Sequence, residues 1–143
     1  MKIDTLFLER CINTLEKAHL LLLKENPENI DYDMYCSACI KEFEIILEQS
    51  GKLLCKILKP YFHSGKAVDE LNFKDVFRHA ALRSIFSDET CEHWLHYRDN
   101  RNNTAHDYGF NFAKETLKLL PEFIIDARAL VEIIKQKTDV AKD

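Results

Sequence analysis

Apolar residues return every three or four positions along almost the whole of this chain, and that spacing admits little besides α-helix. In the first segment Leu8, Cys11, Ile12, Leu15 and Ala18 fall on one face, which predicts a helix from about residue 4 to residue 24. Asn26-Pro27-Glu28-Asn29 interrupts it. A second stripe predicts a long helix from about 31 to 58: Tyr35, Cys36, Cys39, Phe43, Ile46, Leu47, Ser50, Leu54 and Ile57. Its Ser50-Gly51 pair lowers helix propensity, by roughly 1 kcal/mol for the glycine, and points to close packing against a neighbour. Lys59-Pro60 stops this helix, and Ser64-Gly65 predicts an irregular stretch. Asn72 suits the cap of a short helix with Phe73, Val76, Phe77 and Ala80 inward and Asp75 in its first turn. Ser87 suits the cap of a fourth helix, with Asp88 and Glu89 at its positive end. Cys91, Trp94, Leu95, Arg98, Asn102 and Ala105 follow at helical spacing, and Gly109 suits the C-terminal cap after Tyr108. A last helix is expected from Asn111 as cap to about Lys137, kinked or restarted at Pro121. Its buried stripe is Phe123, Ile124, Ala127, Leu130, Val131 and Ile134.

Three glycines and three prolines are too few for the many tight turns of a sandwich or barrel. The expected architecture is therefore all-α. It is an up-and-down four-helix bundle with an additional short helix, in a single domain spanning residues 1–143. No apolar run approaches the roughly 20 residues that cross a bilayer, so no membrane association is expected. The N-terminus, Met1-Lys2-Ile3-Asp4, lacks the features of a secretory signal. Five cysteines, an odd number, form no disulfide framework and read as free thiols. These points predict a cytoplasmic protein. Cys36 and Cys39 form a CxxC, but their apolar surroundings read as core packing. No second cysteine pair completes a zinc site. His93 and His96 lack an evident metal partner and read as helix-surface residues.

The formal net charge is −4, which argues against simple electrostatic capture of duplex DNA. The basic groups are nonetheless concentrated. His79, His93, His96 and His106 lie with Arg78, Arg83, Arg98 and Arg101 between residues 78 and 106. Within that stretch stands Arg101-Asn102-Asn103-Thr104-Ala105-His106-Asp107-Tyr108. A guanidinium can hold a phosphate through two hydrogen bonds, and an imidazole can move a proton near neutral pH. Together they suit chemistry on a phosphodiester. Arg98, Asn102 and His106 form one row continuing the inward stripe. Either that row emerges into solvent at the helix end, or it lines a subunit seam or groove. Arg101 and His106 are about 140° apart around a helix, so one helix does not aim both at one small target. Two copies facing a common groove would, which predicts a homodimer. Arg101, Ala105 and Tyr108 share a face.

The motif resembles the R-x4-6-H signature of HEPN domains, in the R-x4-H-x-Y form. Upstream, Phe73-Lys74-Asp75-Val76-Phe77-Arg78-His79-Ala80 and Trp94-Leu95 resemble the nucleotidyltransferase substrate-binding branch of those domains. The resemblance implies a HEPN-like bundle acting as a metal-independent endoribonuclease, the toxin of a toxin–antitoxin pair, with no cofactor. It implies that Arg101 holds the scissile phosphate with support from Arg98. His106 would be general base on the ribose 2′-hydroxyl or acid on the leaving 5′-oxygen, and Asn102 would orient phosphate or imidazole. RNA is the implied substrate. A cognate minimal nucleotidyltransferase is the implied antitoxin, transferring AMP to Tyr108. The alternative implied by the family is a non-catalytic subunit that binds substrate or nucleotide for that nucleotidyltransferase.

Overall fold

The computed structural model describes residues 2–104 and 110–140, with side chains described for residues 2–101 and 114–137. Its elements are α1 (Leu6–Lys24), α2 (Ile30–Leu58), a 3-10 turn (Lys59–Tyr61), α3 (Gly65–Asp69), α4 (Phe73–Leu82), α5 (Asp88–Thr104) and α6 (Phe110–Val140). There is no strand among the described residues. The long helix α2 is the spine: α1, α4, α5 and α6 all pack against it. The four long helices and the short α4 are as the spacing predicts. The addition is α3, where Ser64-Gly65 suggests irregular chain. Ser64 caps it, its Oγ accepting from the backbone N–H of Ala67 at 3.2 Å, and fully buried Val68 pins it to the bundle.

The predicted caps at Asn72 and Ser87 form. Asn72 Oδ1 accepts from Asp75 N at 2.8 Å and Ser87 Oγ from Thr90 N at 3.1 Å, each satisfying a first-turn donor. α4 ends without a glycine. Ser84 takes φ 58°. With it, Ile85 N donates to Ala80 O and Ser84 N to Ala81 O, the paired bonds of a Schellman turn. Burial of Ile85 beside Ala80 supplies the apolar contact that offsets the strain. α6 begins at Phe110, one residue ahead of the predicted cap Asn111, and continues through Pro121 without a break in its assignment. The expected cap at Gly109 lies outside the described residues.

Five fully buried aromatics make the centre: Phe43 from α2, Phe77 from α4, Trp94 and Tyr97 from α5, and Phe123 from α6. Phe43 and Phe123 are 4.5 Å apart between ring centroids, Tyr97 and Phe123 4.9 Å, and Phe77 and Trp94 5.1 Å. These are the offset and edge-on spacings that aromatic quadrupoles favour. The predicted stripes of α1 and α6 are buried throughout. At the outer edge α1 is tied to α6 by Lys135 Nζ on Glu9 Oε1 at 2.9 Å.

That tie gives a pH dependence with a definite sign. The Lys135 ammonium, and then the Thr5 hydroxyl, hold the Glu9 carboxyl below its ordinary value. A carboxyl whose folded pKa is depressed contributes stability above the ordinary glutamate range, and loses it as pH falls through the folded value. Glu9→Gln is therefore expected to melt slightly below wild type at pH 7. The gap should close as pH falls from 7 to below about 4.3, the ordinary glutamate value. Paired thermal melts across that range check it.

Candidate functional site

Ser50-Gly51 marks the place where α2 and α4 approach. A β-carbon at Gly51 would stand 3.1 and 3.3 Å from two carbons of the Phe73 ring, so the bare backbone lets that ring lie against the spine. Phe73 is only half-buried, unlike the other predicted inward residues of α4. Its ring carries the Arg98 guanidinium, 4.9 Å from the centroid, an attraction of roughly 0.5–1 kcal/mol at a partly exposed site. One turn on, Arg101 Nε faces Glu44 Oε1 of α2 at 3.7 Å. Phe73, Arg98, Arg101, Glu44 and Glu48 thus surround a cleft of about 460 Å³, with Gly51, Ile45 and Leu71 as its apolar part. Such a volume suits a nucleotide-sized ligand.

Of the basic residues concentrated between 78 and 106, Arg98 and Arg101 line this cleft together, while Arg78, Arg83 and His79 meet other partners. Arg78 pairs with Asp75 at 3.3 Å. Arg83 lies over Tyr61 at 5.0 Å, and His79 meets the Phe62 ring at 5.1 Å between centroids. Of that group, among the described residues, Arg98 and Arg101 are the ones that line the cleft. Asn102 belongs to α5 by its backbone, but its side chain, and all of His106 and Tyr108, lie outside the described residues.

The inward face of α5 also differs from the predicted row. Cys91, Trp94 and Leu95 are buried as expected, but the face continues through Tyr97 while Arg98 stays half-buried at the cleft. α6 causes the rotation, because it covers the side of α5 that carries His93, Tyr97 and Asn100. Tyr97 Oη donates to Asp126 Oδ2, and Asn100 Nδ2 donates to Thr116 Oγ1 at 2.9 Å. Burial, reinforced by the Asp126 bond, pushes the Tyr97 phenol far above its ordinary range and keeps it neutral. His93 Nδ1 lies 3.1 Å from Asp126 and 3.2 Å from Glu122. His93, expected as a plain helix-surface residue, is thus part of a polar knot between α5 and α6. Its three ligand-type side chains converge within 4.8 Å. The i, i+4 spacing of Glu122 and Asp126 after Pro121 was the available signal. All five thiols are free. Burial pushes Cys39 up to about 12, so the CxxC packs rather than reacts.

Comparison with known proteins agrees with this fold. Residues 6–136 match the family described as nucleotidyltransferase substrate binding protein like. A curated relative from Haemophilus influenzae, named as a probable ribonuclease HepT, is 28% identical over 109 residues, covering 76% of this chain and 73% of its own. A solved Haemophilus influenzae structure is described as revealing the fold of a substrate binding domain of a nucleotidyltransferase. It superposes with a TM-score of 0.77 at 23% identity, over 92% of this chain and 98% of its own. A crystal structure from Thermus thermophilus superposes with a TM-score of 0.70 at 23% identity, over 90% and 98%. At these identities the two structures speak for the shared all-helical fold.

Proposed function

The chain belongs to the nucleotidyltransferase substrate binding protein-like family, and from that premise we propose that it is an endoribonuclease acting through Arg101 and His106. The observation that carries this reading is the meeting of Arg98 and Arg101, the first basic residue of the R-x4-H motif, at one cleft. The similarity to a probable ribonuclease supports it. Arg101, supported by Arg98 and Asn102, holds the scissile phosphate and the charge that grows on it. His106 removes the proton from the ribose 2′-hydroxyl as that oxygen attacks phosphorus. The P–O5′ bond breaks, leaving a 2′,3′-cyclic phosphate and a 5′-hydroxyl, which takes a proton from a second acid. A homodimer provides that acid from the second copy of the motif. The chemistry calls on neither metal nor cofactor.

In this reading the chain is the toxin of a pair and works in the cytoplasm. A minimal nucleotidyltransferase neutralises it by transferring AMP to Tyr108, where added negative charge competes with RNA for the arginines. Among the described residues, no helix is long and apolar enough to cross a membrane. The second reading is a subunit that holds nucleotide or substrate for the nucleotidyltransferase without breaking a bond. The family description and the substrate-binding domain of the structural relative favour it.

The test is incubation of the purified chain with RNA and with the matching all-deoxy strand, in the presence of EDTA. Ribonuclease action predicts cut RNA ending in 2′,3′-cyclic phosphate and intact DNA. Binding of RNA with no new ends sinks the proposal in favour of the second reading.

A further inference from the structure

The cleft beside Arg101 combines a cationic platform with carboxylate acceptors, and that combination suits a nucleobase better than a bare phosphate. We propose that it seats the nucleotide adjoining the phosphate on Arg101, and that Glu44 selects bases carrying an amino group (guanine, adenine, cytosine) over uracil. The inference rests on the reading of Arg101 as the phosphate-holding residue.

The Arg98 guanidinium lies over Phe73, 4.9 Å from its centroid, at the cleft wall. A guanidinium supported on one side by an aromatic ring offers its other face as a flat platform, and bases stack on such planes irrespective of sequence. The apolar part, with Gly51 and Ile45, excludes water from the stacked base. Stacking explains retention of a base but not choice among bases.

Choice comes from Glu44. Its carboxylate faces Arg101 at 3.7 Å, an ion-pair distance beyond hydrogen-bond range. A phosphate arriving on Arg101 takes the guanidinium donors bidentately and sets its own negative charge beside Glu44. An amino-bearing base in the cleft then gives that carboxylate a new N–H donor. Uracil offers no amino group, and its one edge donor, N3–H, lies between two carbonyl oxygens that repel the carboxylate. Glu48, one helical turn along α2, lines the same cleft and is already paired with Lys52 at 3.2 Å. Glu44 is accordingly the specificity-determining residue.

The experiment uses the four ribonucleoside 3′,5′-bisphosphates, which carry phosphate on both sides and contain no phosphodiester to cut, with binding to the full chain read by calorimetry. Bisphosphates of guanosine, adenosine and cytidine are expected to bind roughly tenfold tighter than that of uridine, the scale of a hydrogen bond to a charged group. Glu44→Gln, which can donate as well as accept, is expected to erase the difference chiefly by improving uridine binding. Arg98→Lys, which keeps the charge and loses the plane, is expected to weaken all four about fivefold or more. Equal binding of the four by wild type, discrimination that survives in Glu44→Gln, or the absence of nucleotide binding overturns the inference. Discrimination in a chain that leaves RNA uncut upholds the cleft and defeats the ribonuclease reading. Cutting without discrimination does the reverse.

Discussion

His106→Ala is expected to cut RNA about a hundred- to ten-thousandfold more slowly than wild type, the usual worth of a positioned general acid or base. Cells expressing it are expected to grow normally where the wild type is expected to arrest them. The loss is expected to fall on the chemical step. Arg98 and Arg101 remain at the cleft, so RNA affinity, measured on an uncleavable 2′-deoxy analogue, is expected to stay within a few-fold of wild type. A binding subunit behaves in the opposite way, losing affinity and showing no catalytic rate to lose. Co-expression with a neighbouring nucleotidyltransferase is expected to give the matching result from outside the site. Growth is expected to return while His106 is intact, with mass spectrometry expected to find an added AMP on Tyr108.

The second large effect is on stability. Trp94→Ala removes the side chain that touches Phe77, Tyr97 and Phe123 at once, with centroid separations of 5.1, 5.7 and 5.7 Å. Removing a buried aromatic costs about 3–5 kcal/mol through lost transfer energy and the cavity left behind. That is a large share of the roughly 5–15 kcal/mol that holds a domain together, and corresponds to a fall of roughly 10–15 °C in Tm. Urea and thermal unfolding check it. Trp94→Phe, which keeps an aromatic in the site, should cost markedly less. A loss under about 1 kcal/mol for the alanine variant would show that the surrounding helices collapse into the space.

The bundle was legible because burial imposes a period on sequence. Leu8, Ile12 and Leu15 in α1 and Phe123, Ala127 and Ile134 in α6 repeat at helical spacing, and all are buried. Caps were legible for the same kind of local reason, since Asn72 and Ser87 reach only three residues ahead. Tyr97 was missed because its polar end suggests solvent, whereas Asp126 satisfies that end inside the protein. α3 and the φ 58° turn at Ser84 were missed because serine marks caps and loops alike and glycine was absent.

The site divides along the same line. The R-x4-H-x-Y motif and the family were readable from contiguous residues, and the family is now shown. The partners of the motif were not readable. Nothing local in α5 announces that Arg101 faces Glu44 or that Arg98 rests on Phe73. Those pairings depend on how α2, α4 and α5 are set against each other. The glycine on α2 was the one mark of that arrangement in the sequence, and it indicated proximity without naming Phe73.

The aromatic centre also bears on the birth of the molecule. Its rings come from α2, α4, α5 and α6, and Phe123 belongs to the last helix. On the ribosome, an emerging chain that has not yet released α6 lacks the ring against which Phe43 and Tyr97 close. Domains of this kind fold as units once their parts are present. A nascent chain stalled before α6 would therefore display the motif helix with its apolar face uncovered, a target for chaperones and proteases before its core can close.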